Sequence, residues 1–88
     1  MVEPPPLLRF PTDYPLKIVG RPSEEFRKRV RAIMLRHVPG LDPTRVSERL
    51  SENGNFLSIS YVIVAESSDH VIGLIKDLKA CEGVLTII

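Results

Sequence analysis

The sequence predicts an α+β fold in which two helices cover one face of a four-stranded antiparallel sheet. Three observations carry that prediction. Two segments, one after Ser23 and one after Ser67-Ser68, place apolar residues at helical spacing. Other segments alternate apolar and polar residues, as half-buried strands do. Between two of them stands Asn53-Gly54, a strong short-range signal for a tight hairpin, because a type I′ turn needs positive φ at both central residues.

Taken in order, residues 1–9 carry a Pro triplet and are expected to form an extended tail, with one domain over 10–88. Phe10-Pro11-Thr12-Asp13 reads as a turn, and Tyr14 to Gly20 as the first strand, with Leu16 and Ile18 on one side and Lys17 and Val19 on the other. Gly20-Arg21-Pro22 breaks it. Ser23 is a suitable helix cap, and Glu24 and Glu25 suit the positive end of the helix dipole. Phe26, Val30, Ile33, Met34 and His37 then form one stripe, with Arg27, Lys28 and Arg31 opposite. Pro39 pushes Val38 out of the helical region, and Gly40 completes the stop.

Thr44 to Leu50 and Asn55 to Ala65 read as the hairpin strands. A turn centred on Asn53-Gly54 pairs Leu50 with Leu57, Glu48 with Ile59 and Val46 with Tyr61 on a core face. It pairs Arg49 with Ser58, Ser47 with Ser60 and Arg45 with Val62 on an open face. Val71, Leu74, Ile75 and Leu78 form the stripe of the second helix, with Gly73 on its outer side, and Gly83 closes it before a final strand, Val84 to Ile88. The expected core adds Leu16, Ile18, Phe26, Val30, Ile33, Met34 and Ile63 to these stripes and to the hairpin's core face.

The order β-α-β-β-α-β with right-handed crossovers gives the ferredoxin-like arrangement, strand order 4-1-3-2, with both helices on one face. The second strand is then an edge, where the inward charge of Glu48 discourages pairing with another chain. The other face of the sheet stays open.

Composition sets bounds on function. The chain has 88 residues, 43% apolar and 26% charged, as an ordinary globular domain does. A formal charge of +1 speaks against broad attraction to nucleic acid or to a membrane. Cys81 is the only cysteine, which fits a reducing, cytoplasmic setting and removes both an internal disulfide and a cysteine-pair metal site. The N-terminus lacks the pattern of a signal peptide, and no apolar run is long enough to cross a bilayer.

Phe10-Pro11-Thr12, Lys17-Ile18-Val19-Gly20, Arg36-His37-Val38-Pro39-Gly40 and the run from Ser51 through Gly54-Asn55-Phe56 to Ser58-Ile59-Ser60 resemble the YbeD-like family of small bacterial proteins. The resemblance covers about Phe10 to Ile88. It implies a ferredoxin-like fold similar to ACT domains, which regulate amino-acid metabolism and bind small effectors at interfaces between paired domains. Members of that family carry Tyr in place of Phe56 and His in place of Leu57, so no ligand role transfers to those two positions.

The open face offers the best binding candidates: Lys17, Arg45 and Arg49 among Ser47, Ser58 and Ser60, a set suited to a carboxylate or phosphate. The expected ligand is an amino acid or small anion, held with the help of a homodimer or a protein partner. Arg27, Lys28 and Arg31 are the alternative, a basic helix surface for a protein partner. His37 has no partner that the sequence names and is expected to be structural, His70 to be exposed, and Cys81 to be inert. No cofactor or metal is expected. A hydrolase reading on the pattern of acylphosphatases would use Arg21 with Asn53 or Asn55, but Gly20-Arg21-Pro22-Ser23 lacks the run of backbone donors that cradles a phosphate. Base stacking on RNA would need more than Phe56 on the open face, so nucleic acid is not an expected partner. The sequence therefore points to a non-catalytic, regulatory or ligand-binding domain.

Overall fold

The computed structural model describes residues 9–88, in the order β1 (Thr12–Gly20), α1 (Glu24–His37), a 3-10 turn (Pro43–Arg45), β2 (Val46–Leu50), β3 (Leu57–Ala65), α2 (Ser68–Ala80) and β4 (Val84–Ile87). The tail expected over residues 1–9 lies, apart from Arg9, outside the described residues. Both helices start where a serine can take up an orphan amide. Ser23 Oγ accepts from the Phe26 N–H at 3.0 Å, and Ser67 Oγ accepts from the His70 N–H at 3.1 Å.

The strands form one antiparallel sheet in the order β2-β3-β1-β4, the ferredoxin-like arrangement read from its other edge. Leu16, Ile18, Leu57, Ile59, Tyr61 and Ile63 alternate along β1 and β3 and are buried against the helices. Phe26, Val30 and Met34 of α1 and Val71, Leu74, Ile75 and Leu78 of α2 close over them. Each such side chain contributes about 1.5–3 kcal/mol on burial, so the alternation of the strands and the stripes of the helices decide the fold together. Gly20 at the end of β1 is required for space. A Cβ there would stand 2.5 Å from the Phe26 ring and against the Gly83 carbonyl.

The hairpin holds the expected register through a different turn. β2 and β3 pair Val46 with Tyr61, Ser47 with Ser60, Glu48 with Ile59, Arg49 with Ser58 and Leu50 with Leu57. However, Gly54 has φ +72° and no non-glycine residue among the described residues has positive φ, so the type I′ turn is not formed. The Ser51 carbonyl accepts from the Gly54 N–H at 2.9 Å, and Ser51 Oγ accepts from the Phe56 N–H at 3.0 Å. The loop, residues 51–56, is longer than expected at the β3 end but is centred on Asn53-Gly54, so the register is unchanged.

Other expectations are corrected. Thr44 and Arg45 belong to the 3-10 turn, where Asp42 caps the Thr44 N–H at 2.9 Å, so Arg45 does not pair with Val62 as a strand residue. Strand β1 begins at Thr12, which absorbs the expected turn. Leu50 is 53% exposed at the hairpin end of the edge strand, and Ile33 and Val46 are half-buried. Ala65 and Ile87 are buried instead.

Candidate functional site

The open face of the sheet gathers most of the expected set. Arg49 faces Ser58, which faces Val19; Ser47 faces Ser60, which faces Lys17. These two neighbouring rows put both cations and all three hydroxyls on one surface, with Ser58 and Ser60 half-buried and Lys17, Ser47 and Arg49 exposed. Among the described residues, neither Lys17 nor Arg49 has a carboxylate within ion-pair distance.

Arg45 is different. From the 3-10 turn it reaches across β3 to Asp13 on β1, with Nη2 2.9 Å from Oδ2. The Arg45 guanidinium holds the Asp13 carboxyl below the usual carboxylate range. Arg45 is thus ion-paired, and among the described residues the open face offers two cations without a carboxylate partner, Lys17 and Arg49, where the sequence suggested three.

The basic surface of α1 also divides. Arg27 Nε bonds Glu48 at 3.0 and 3.2 Å while its Nη1 bonds Glu24 at 2.7 Å. Glu48 is therefore a partnered charge that ties the edge strand to α1, a role the sequence did not disclose. Lys28 and Arg31 are exposed and form no ion pair among the described residues.

His37 has the carboxylate partner that the sequence could not name. Its Nε2 lies 2.6 Å from Asp77 Oδ2 on α2, and Arg36 Nη2 lies 3.1 Å from the same oxygen. The His37 ring first, and Arg36 second, hold the Asp77 carboxyl below its ordinary value. His70 is half-buried, not exposed. Its Nδ1 accepts from the Glu66 N–H at 3.1 Å, which places the proton on Nε2, and Nε2 donates to the His37 carbonyl at 2.7 Å. Gly73 lies beneath the His37 ring rather than on an outer side, 3.9 Å from Cε1 to where a Cβ would stand. The signal for this junction is spacing: His70, Gly73 and Asp77 fall at i, i+3 and i+7 on one side of α2. Chemically the junction is a helix clamp. Among the described residues the side-chain partner of His37 is Asp77, and no Ser, Thr or Cys hydroxyl or thiol bonds the ring. Beside it a cavity of about 460 Å³ lies between the loop after α1 and the end of β3, with Val38, Leu41, Arg45, Val62 and Val64 in its walls.

The remaining candidates are engaged locally. Arg21 lies 5.0 Å from the centroid of the Phe56 ring, and its Nη1 donates to the Asn55 main-chain oxygen at 3.4 Å. Burial pushes the Cys81 thiol up, against thiolate chemistry at neutral pH. Among the described residues no three of His, Cys, Asp and Glu cluster as metal ligands would, and no helix is long and apolar enough to cross a membrane.

Comparison with known proteins joins these observations to a family. Residues 5–88 match DUF493, described as a protein of unknown function. A UPF0250 protein of Hahella chejuensis is 38% identical over 79 residues, covering 90% of this chain and 87% of its own. A UPF0250 protein of Ectopseudomonas mendocina is 39% identical over 77 residues, covering 86% and 84%. Among solved structures, the ACT domain from GTP pyrophosphokinase of Chlorobium tepidum superposes with TM-score 0.66 at 14% identity, over 86% of this chain and 84% of that one. The C-terminal domain of the MgtC protein from Mycobacterium tuberculosis gives TM-score 0.63 at 16% identity, over 93% and 89%. At such identities the structural likeness shows the shared fold alone. The chain belongs to the DUF493 family of UPF0250 proteins, the YbeD family that its residues resemble.

Proposed function

We propose that this chain is a non-catalytic regulatory module of ACT-like type, one domain over residues 10–88, that binds a small anion on the open face of its sheet. The observation that carries this reading is the pair of cations Lys17 and Arg49, set among Ser47, Ser58 and Ser60 with no ion-pair partner among the described residues. Arg27, Arg29, Arg36 and Arg45 all have carboxylates, whereas the two cations of this face keep their charge open to a ligand. Two cations with hydroxyl donors between them suit the carboxylate of an amino acid or an inorganic anion. A sheet face cannot enclose a small molecule by itself, so the ligand is held between this face and a second surface, either another copy or a protein partner. A lone, half-buried thiol suits the reducing cytoplasm.

The test is sedimentation of the free protein, followed by thermal unfolding with amino acids, dicarboxylates and inorganic phosphate on the same sample. At a hundredfold excess over Kd, a ligand of the folded state stabilises by about 2.7 kcal/mol. The expected result is a raised Tm with at least one compound, lost in the Lys17→Ala/Arg49→Ala double variant. A flat response across the panel refutes the reading.

A further inference from the structure

The outer edge of β2 and the groove beside it are not used by the open-face site. The Ser51 N–H donates to the Phe56 carbonyl at 2.9 Å, so the backbone alternation turns the amides of Ser47 and Arg49 toward β3 and those of Glu48 and Leu50 outward. The Val46 N–H is taken by the Pro43 carbonyl. The amides of Glu48 and Leu50 and the carbonyls of Val46, Glu48 and Leu50 remain along the edge of the sheet. Between this edge and α1 lies a groove of about 540 Å³. Its walls change character along its length. Leu35, Leu41, Pro43 and Val46 line it with Tyr61, and along α1 Lys28 and Arg31 stand between Arg27, which bonds Glu48, and Leu35. Leu35 is 40% exposed, and Lys28, Arg31 and Leu35 fall at i, i+3 and i+7 on the groove side of α1.

We propose that the β2 edge takes an extended peptide as a fifth strand, one that places an apolar and an acidic side chain two residues apart over this groove. Strand addition satisfies the outward amides and carbonyls, and the alternation of a strand sends every second side chain into the groove. Spacing by two residues, about 7 Å, matches an apolar position beside Leu35 followed by an acid beside Arg31 and Lys28. Charge selects the acid. Glu24 and Glu48 share Arg27, and with Lys28 and Arg31 added the charged residues of the groove sum to one net positive charge, which sets the sign.

A second copy is a poorer occupant. In a two-fold antiparallel pairing that keeps core faces aligned and sets Val46 against Leu50, Glu48 meets its own symmetry mate. Centring the pair one residue later sets Arg49 against Arg49. Like charges directly opposed destabilise a sheet. In the peptide complex the acid lies beside Lys28 and Arg31 and not directly opposite Glu48, so the like-charge pair of self-pairing is not made.

Fluorescein-labelled ten-residue peptides test this, with Ser and Thr at alternate positions and Ile and Glu two apart at the others. Fluorescence anisotropy should show binding that weakens with salt, that weakens roughly tenfold when Glu is replaced by Lys, and that is lost when the amides facing β2 are N-methylated. The Lys28→Glu/Arg31→Glu double variant should prefer the Lys peptide, an inversion that only a folded protein can show. On binding, the Glu48 and Leu50 amides should gain protection from hydrogen exchange. Equal affinity for the Glu and Lys peptides, or binding that survives N-methylation, overturns the proposal. So does concentration-dependent protection of those amides without peptide, which would assign the edge to a second copy.

Discussion

Replacing Gly73 by alanine tests the packing of α1 on α2 through the sign of one number. Glycine inside a helix costs about 0.8–1.0 kcal/mol relative to alanine. The new methyl would sit 3.9 Å from His37 Cε1, an ordinary van der Waals contact, so no clash offsets the gain. The expected effect of Gly73→Ala is stabilisation by about 1 kcal/mol, or about 4–8 °C in Tm for a domain of this size. Urea unfolding should show a higher midpoint at unchanged slope. A lower midpoint would refute the reasoning, since it would mean that the helices approach more closely at this point than the His37 ring allows here. Gly20→Ala provides the opposite case within the same fold. There the methyl meets the buried Phe26 ring at 2.5 Å and the Gly83 main chain, neither of which can give way, and overpacking of that kind costs about 1–3 kcal/mol. Conformational entropy alone would make both substitutions favourable; only the tertiary contacts separate them.

Asp13, Asp42 and Asp77 all have carboxyls held below their ordinary value by hydrogen bonds or ion pairs, so each contributes stability above the unfolded-state pKa that is lost as pH falls through the folded-state pKa. Stability measured by urea should therefore decline below about pH 4, and less steeply in Asp77→Asn. Cys81 should react with a disulfide reagent at neutral pH more slowly than a free thiol of ordinary pKa, because burial raises its pKa; a rate above that of free cysteine contradicts the placement. Ser67→Ala should cost about 1 kcal/mol by removing the acceptor for the His70 N–H, while Ser68→Ala, with no capping role, should change far less.

Much of the architecture was legible because it rests on periodicity. The stripe from Phe26 to Met34 and that from Val71 to Leu78 identify helices that need an apolar surface, and Leu57 to Ile63 supplies one by simple alternation. Register was legible for a subtler reason. It depends on the centre of the hairpin and not on its turn type, so the wrong turn at Asn53-Gly54 still paired Leu50 with Leu57 and Val46 with Tyr61. Burial was less legible at the ends of elements. Leu50 obeys the alternation but ends an edge strand beside the hairpin loop, and Ile87 lies in a strand too short for its pattern to show.

The sequence by itself determined the order of elements, the two faces of the sheet, the Ser23 cap and the gathering of Lys17, Arg49 and the three serines on one surface, because those follow from spacing along the chain. Tertiary structure decided which charges are matched. Glu48 with Arg27, Asp13 with Arg45 and Asp77 with His37 are separated by 21, 32 and 40 residues, and only packing brings each pair within hydrogen-bond reach. A cation's availability for a ligand depends on those pairings. That is why Arg45 left the candidate site while Lys17 and Arg49 remained in it.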